Sequence, residues 1–154
     1  MAVRHLVTAR ELERMGREDL ELVRGVLVPV MTPAGEQHGT LAAFLTVEIG
    51  TFVRAHSLGR VYVEVGYKLF SHPDTVRGPD VSFVAMDGRP PAKPRRGFIP
   101  GAPDLAIEIA SADKPMKQLA AKAAGLAQTD ALDGADVLPG FSLPVSRVFQ
   151  ELEA

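Results

Sequence analysis

Gly78-Pro79-Asp80-Val81-Ser82-Phe83-Val84 and Asp104-Leu105-Ala106-Ile107-Glu108-Ile109-Ala110-Ser111 decide how this chain is read. Each is a short apolar run with an acid at one end, as expected of a strand that carries a carboxylate to the edge of a sheet. A helical run from Lys114 to Ala127 follows and contains Lys122. Two carboxylates brought together on neighbouring strands cannot both stay ionised cheaply unless a cation sits between them. Hard oxygen donors suit Mg²⁺ or Mn²⁺, and a nearby ammonium adds a point charge for an anionic transition state. Asp80, Glu108 and Lys122 therefore form the set that metal-dependent phosphodiester cleavage requires.

Glu108 stands between Ile107 and Ile109. A glutamate in an apolar strand reads as a buried carboxylate that needs a partner, and a core salt bridge is the competing interpretation. Small neighbours on its side of the strand, Ala106 and Ala110, leave room for an ion. Asp80 after Gly78-Pro79 also fits an ordinary turn aspartate. Asp104 starts the second run and is expected to face a turn. On the following helix, Leu119, Ala123 and Leu126 define the apolar stripe. Lys122 lies at the edge of that stripe and can lean toward the sheet, or else snorkel at the surface.

Outward from these runs the pattern is that of a mixed α/β domain. Thr8 and Glu11 match a capping box for a helix that ends at Gly16. Leu20 to Val30 reads as two strands turning at Arg24-Gly25, and Thr32 to Gly35 as a turn. Leu41, Phe44, Leu45, Ile49, Phe52 and Val53 recur at helical spacing from about Gln37 to His56. Arg60 to Phe70 alternates as one strand with one face buried, and Asp80 to Ala85 as another. Met86 to Pro103 holds five prolines and three glycines and predicts a long irregular loop. Asp104 to Ala110 predicts a buried strand, Asp130 to Gly140 a loop, and Phe141 to Phe149 a final edge strand containing Pro144.

Composition sets the outer limits. At 154 residues, with 46% hydrophobic and 23% charged residues, the chain fits one globular domain spanning 1–154. A net charge of −2 argues against a general nucleic-acid coat, and it leaves room for local basic patches. Arg89, Lys93, Arg95 and Arg96 form one such patch, either a phosphate-contacting loop or a solvated one. The absence of cysteine excludes disulfides, thiolate catalysis and cysteine zinc sites, and it fits a cytoplasmic protein. No apolar run reaches membrane-spanning length, and Met1 to Arg10 lacks the apolar core of a signal peptide.

Several segments, in order, resemble a known family. They are Glu21-Leu22-Val23-Arg24-Gly25, Pro33 with Gly35 and His38, Gly78 to Val84, Pro103 to Ser111 with Lys122, and Asp136-Val137-Leu138-Pro139-Gly140-Phe141. Together they resemble the PD-(D/E)xK nuclease superfamily and, within it, the bacterial putative restriction endonuclease domain family (Uma-type). The resemblance implies a restriction-endonuclease-like core, a four-stranded mixed sheet flanked by helices, acting on DNA with Mg²⁺ and forming a homodimer. It assigns Asp80 and Glu108, with the carbonyl of Ile109, to the metal, and Lys122 to the catalytic lysine. His38, at the start of the long helix, becomes a candidate for phosphate contact or proton transfer. Glu21 becomes an auxiliary carboxylate, with Glu64 a weaker one.

Two departures stand out. The usual lysine position, two residues after the second acid, is Ala110, so the pattern depends on Lys122. The chain then passes directly from the lysine helix to Leu138-Pro139-Gly140-Phe141, where family members carry a further strand and meander. A catalytically inactive remnant or assembly module that keeps the nuclease fold is the alternative reading.

Overall fold

A computed structural model describes residues 5–30, 35–86, 96–109 and 131–153. Helix α1 (Ala9–Met15) is followed by strands β1 (Leu20–Val23) and β2 (Val26–Pro29), then helix α2 (Glu36–Ala55). Strands β3 (Gly59–Val63), β4 (Tyr67–Phe70), β5 (Thr75–Arg77), β6 (Val81–Ala85), β7 (Ile99–Pro100) and β8 (Leu105–Ile107) come next. A short hairpin, β9 (Ala131–Asp133) and β10 (Ser142–Pro144), leads into helix α3 (Val145–Glu153).

The first helix starts as its sequence predicts. The Thr8 hydroxyl accepts the Glu11 N–H at 3.3 Å, and the Glu11 carboxylate accepts the Thr8 N–H at 2.7 Å. Gly16 ends the helix in the left-handed conformation. The β1–β2 hairpin turns on Arg24 (φ 48°) and Gly25 (φ 75°) between the paired Val23 and Val26. Two consecutive left-handed residues are what a type I′ two-residue hairpin turn uses. At Gly25 there is also no space for a side chain: a Cβ would lie 2.7 Å from the Cβ of Leu6.

The strands form two sheets and the hairpin. One sheet runs β2-β1-β5-β4-β7, antiparallel except for the parallel β4–β7 pair. The other runs β3-β6-β8 and is antiparallel. Helix α1 lies on the first sheet, where Leu12, Leu22 and Val76 form its core. Helix α2 covers one face of the second, where Ile49 and Val53 pack on Phe83 and Leu138. Further along the same helix, Leu45 packs with Ile109 and Leu143, which joins the hairpin and α3 to the body. Arg147 of α3 pairs with both carboxylate oxygens of Glu48, at 2.8 and 2.7 Å.

Three expectations are corrected. The segment Arg60–Phe70 is two strands in different sheets, because Glu64 adopts a left-handed φ of 52° and breaks the pleat. Tyr67 is consequently fully buried while Val63 is 45% exposed. The Asp104–Ala110 run is a three-residue strand at the end of its sheet rather than a buried one. Leu105, Ile107 and Ile109 turn toward α2, and Asp104, Ala106 and Glu108 are exposed. Beyond Pro144 the chain turns helical, since proline begins no further ladder and suits a helix start.

Candidate active site

Asp80 sits where the chain crosses from β5 in one sheet to β6 in the other. Strand β6 pairs antiparallel with β8, with Val81 opposite Ile107. Asp80 directly precedes β6 and Glu108 directly follows β8, so both acids flank the Val81–Ile107 pair. The two acids singled out in the sequence therefore lie at the same end of the β6–β8 pair.

Asp80 is held from several sides. Its Oδ2 accepts the Ile109 N–H at 2.5 Å, and its carbonyl accepts the Glu64 N–H at 3.2 Å. Its Oδ1 lies 3.2 Å from His38 Nε2, and the two side chains are only 18% and 17% exposed. His38 reaches this point because it stands in the first turn of α2, on the same side as Leu41 and Leu45. Helical spacing thus predicts the placement of His38, and the fold supplies its partner.

Glu108 lies just past β8 and is exposed, which corrects the expectation of a buried carboxylate. The apolar residues flanking it in sequence face the core, and the alternation of the strand turns Glu108 outward. Glu21 packs against the approach to Asp80: its Oε2 lies 2.5 Å from Arg77 Nη1, and its Oε1 accepts the Gly78 N–H at 2.9 Å. Glu64 contributes its backbone to Asp80, and its own side chain is exposed. Asp104 turns back to accept the Ala85 N–H at 2.8 Å. Lys122, Ala110 and the basic residues Arg89, Lys93 and Arg95 lie outside the described residues.

The donor set fits a hard divalent cation. Two carboxylates and the Ile109 carbonyl are oxygen donors, and Mg²⁺ typically takes one or two carboxylates and completes its shell with water. A carboxylate offers about four lone-pair sites, so the hydrogen bond from Ile109 leaves Asp80 capacity to bind an ion. Among the described residues no three His, Cys, Asp or Glu side chains form a ready-made cage.

Residues 9–125 match the model of the Uma2 family, described as "putative restriction endonuclease". This chain belongs to the Uma2 family. No curated relative matches it. The solved structures include a similar fold in a protein titled "putative nuclease belonging to DUF820" from Anabaena variabilis ATCC 29413. The likeness has a TM-score of 0.71 at 16% identity, over 95% of this chain and 99% of that one. At this identity the likeness concerns the fold alone. The Uma2 match spans both acids, His38, Glu21 and Lys122. Among the described residues no helix is long and apolar enough to cross a membrane.

Other side-chain contacts of this Uma2 chain had no local sequence signal. Nothing near Arg77 in the sequence points to Glu21, and the β1–β5 pairing brings the two together. Asp74 follows a proline like many turn aspartates, yet its Oδ2 accepts the Ala9 N–H at 2.8 Å from the start of α1.

Proposed function

We propose that this protein is a metal-dependent nuclease that hydrolyses phosphodiester bonds of DNA in the cytoplasm, with Mg²⁺ or Mn²⁺ held by Asp80, Glu108 and the Ile109 carbonyl. The observation that supports this reading is the hydrogen bond from the Ile109 N–H, next to Glu108 in sequence, to Asp80 Oδ2, at the end where β6 begins and β8 stops. Membership of the Uma2 family supports the reaction class. When bound, such an ion lowers the pKa of a coordinated water and offsets charge on the phosphate.

The chain's own residues supply the remainder. Asp80, fixed by the Ile109 and Glu64 amides, presents its carboxylate at little reorganisation cost. Glu108, on the open face, leaves the approach to the pair accessible to a strand of nucleic acid. His38 Nε2, in reach of Asp80, holds or passes a proton beside the reacting phosphate. Lys122 is assigned the cationic role on the reacting phosphate.

The test is cleavage of supercoiled plasmid and of single-stranded DNA with Mg²⁺ or Mn²⁺, with EDTA and Asp80→Ala as controls. Cleavage abolished by both controls is the expected result. A folded protein that cuts nothing, or that cuts equally well as Asp80→Ala, refutes the proposal and favours an inactive remnant that retains the fold.

A further inference from the structure

Glu21 is a shielded carboxylate, 13% exposed, on the strand β1 that neighbours the turn carrying Asp80. A charge so shielded needs partners, and each of its oxygens has one. Oε2 meets the Arg77 guanidinium, and Oε1 takes the Gly78 N–H. The pairing of β1 with β5 sets Leu22 opposite Val76, and one further residue along sets Glu21 opposite Arg77. The side chain therefore lies across the last residue of β5 and the first residue of the turn.

That turn is Gly78-Pro79-Asp80. Pro79 is buried, its ring fixes φ, and it has no N–H to donate. The ring thereby removes one rotatable angle between the Gly78 amide and the Asp80 side chain. At the far end the Glu64 N–H holds the Asp80 carbonyl, and the Ile109 N–H holds its Oδ2. Both of those anchors lie just past strands of the three-stranded sheet, Glu64 after β3 and Ile109 after β8. Glu21 is the anchor from the five-stranded sheet.

We propose that Glu21 is a positioning residue, which orients Asp80 through the Gly78 amide without touching metal or substrate itself. The consequence for metal binding rests on the site proposed above, whereas the anchoring is a property of the turn. A glutamine at position 21 keeps a carbonyl oxygen for Gly78 and loses the charge; an alanine loses both.

The experiment measures amide hydrogen exchange of Ile109 by NMR, together with Mn²⁺ affinity, in the whole chain as wild type, Glu21→Gln and Glu21→Ala. Unfolding midpoints of the same samples correct for global stability. Glu21→Ala is expected to speed Ile109 exchange beyond what its global stability explains, and to weaken Mn²⁺ binding about tenfold or more, as losses of supporting hydrogen bonds do. Glu21→Gln is expected to stay close to wild type in both. Ile109 exchange in Glu21→Ala that follows global stability alone overturns the proposal. Mn²⁺ binding lost equally in Glu21→Gln and Glu21→Ala overturns it too, because that pattern marks a direct ligand. Ile109 exchange that responds in a wild-type background binding no Mn²⁺ supports the anchoring and refutes the metal site.

Discussion

Replacing Asp74 with asparagine should destabilise the fold at neutral pH and have little effect in acid. The Asp74 carboxylate accepts the Ala9 N–H at 2.8 Å, and Lys68 Nζ lies 3.1 Å away. The backbone hydrogen bond from Ala9 holds its pKa below the ordinary aspartate value, with Lys68 adding to the effect against the opposing cost of burial. A hydrogen bond to a charged group contributes about 1.5–3 kcal/mol, and the partly exposed lysine adds less than about 1 kcal/mol. Asparagine keeps an oxygen for Ala9 and loses the charge, so the expected cost of Asp74→Asn is about 1–2 kcal/mol, and of Asp74→Ala about 2–3 kcal/mol. A carboxylate with a depressed folded pKa stabilises above its unfolded value and loses that contribution as pH falls through the folded one. The wild-type advantage over Asp74→Asn should therefore be complete at neutral pH and shrink below about pH 4. Urea unfolding of both proteins across this range measures it. An equal difference at neutral and acid pH, or no difference at neutral pH, would refute the role given to the charge.

Other expectations follow from the same contacts. Asp80→Asn and Glu108→Gln should each lower DNA cleavage at least a hundredfold, by the scale of lost transition-state contacts, while the unfolding midpoint stays within a few degrees; unchanged cleavage in either would remove that residue from the site. Tyr67→Phe removes a buried hydrogen bond of 2.8 Å to Ser82 and should cost about 1 kcal/mol, read by denaturant unfolding. Phe83→Ala empties the centre of the α2 core and should cost about 3–5 kcal/mol, with a penalty below about 1 kcal/mol counting against a close-packed core there. Gly25→Ala places a side chain against Leu6 in a left-handed turn and should lower the thermal midpoint measured by circular dichroism.

The sequence by itself determined the local elements whose signals are local. Thr8 and Glu11 specify a helix start because the capping partners are three residues apart. Arg24-Gly25 marks a hairpin because glycine readily takes the left-handed conformation that a type I′ turn uses. The period of Leu41, Leu45, Ile49 and Val53 specifies the buried side of α2. The same logic marked Asp80, Glu108 and His38 as residues of interest, since acids and a histidine placed against apolar runs are unusual.

The tertiary structure alone decided how these pieces meet. Alternation predicted a single strand from Arg60 to Phe70, and the left-handed Glu64 split it between two sheets. Apolar neighbours predicted a buried Glu108, but one face of β8 packs on α2 while the other is open, so the strand's two-residue period turned the acid outward. Phe141 to Phe149 read as a strand, and packing of Val148 with Leu45 and Leu143 in one cluster made its latter part a helix. The contacts of Asp80 with His38 and Ile109, of Glu21 with Arg77 and Gly78, and of Asp74 with Ala9 join residues between 29 and 65 positions apart, or depend on a strand register. Such contacts form only when strands pair and helices dock. Burial then makes partners obligatory for charges whose sequence neighbourhood is unremarkable.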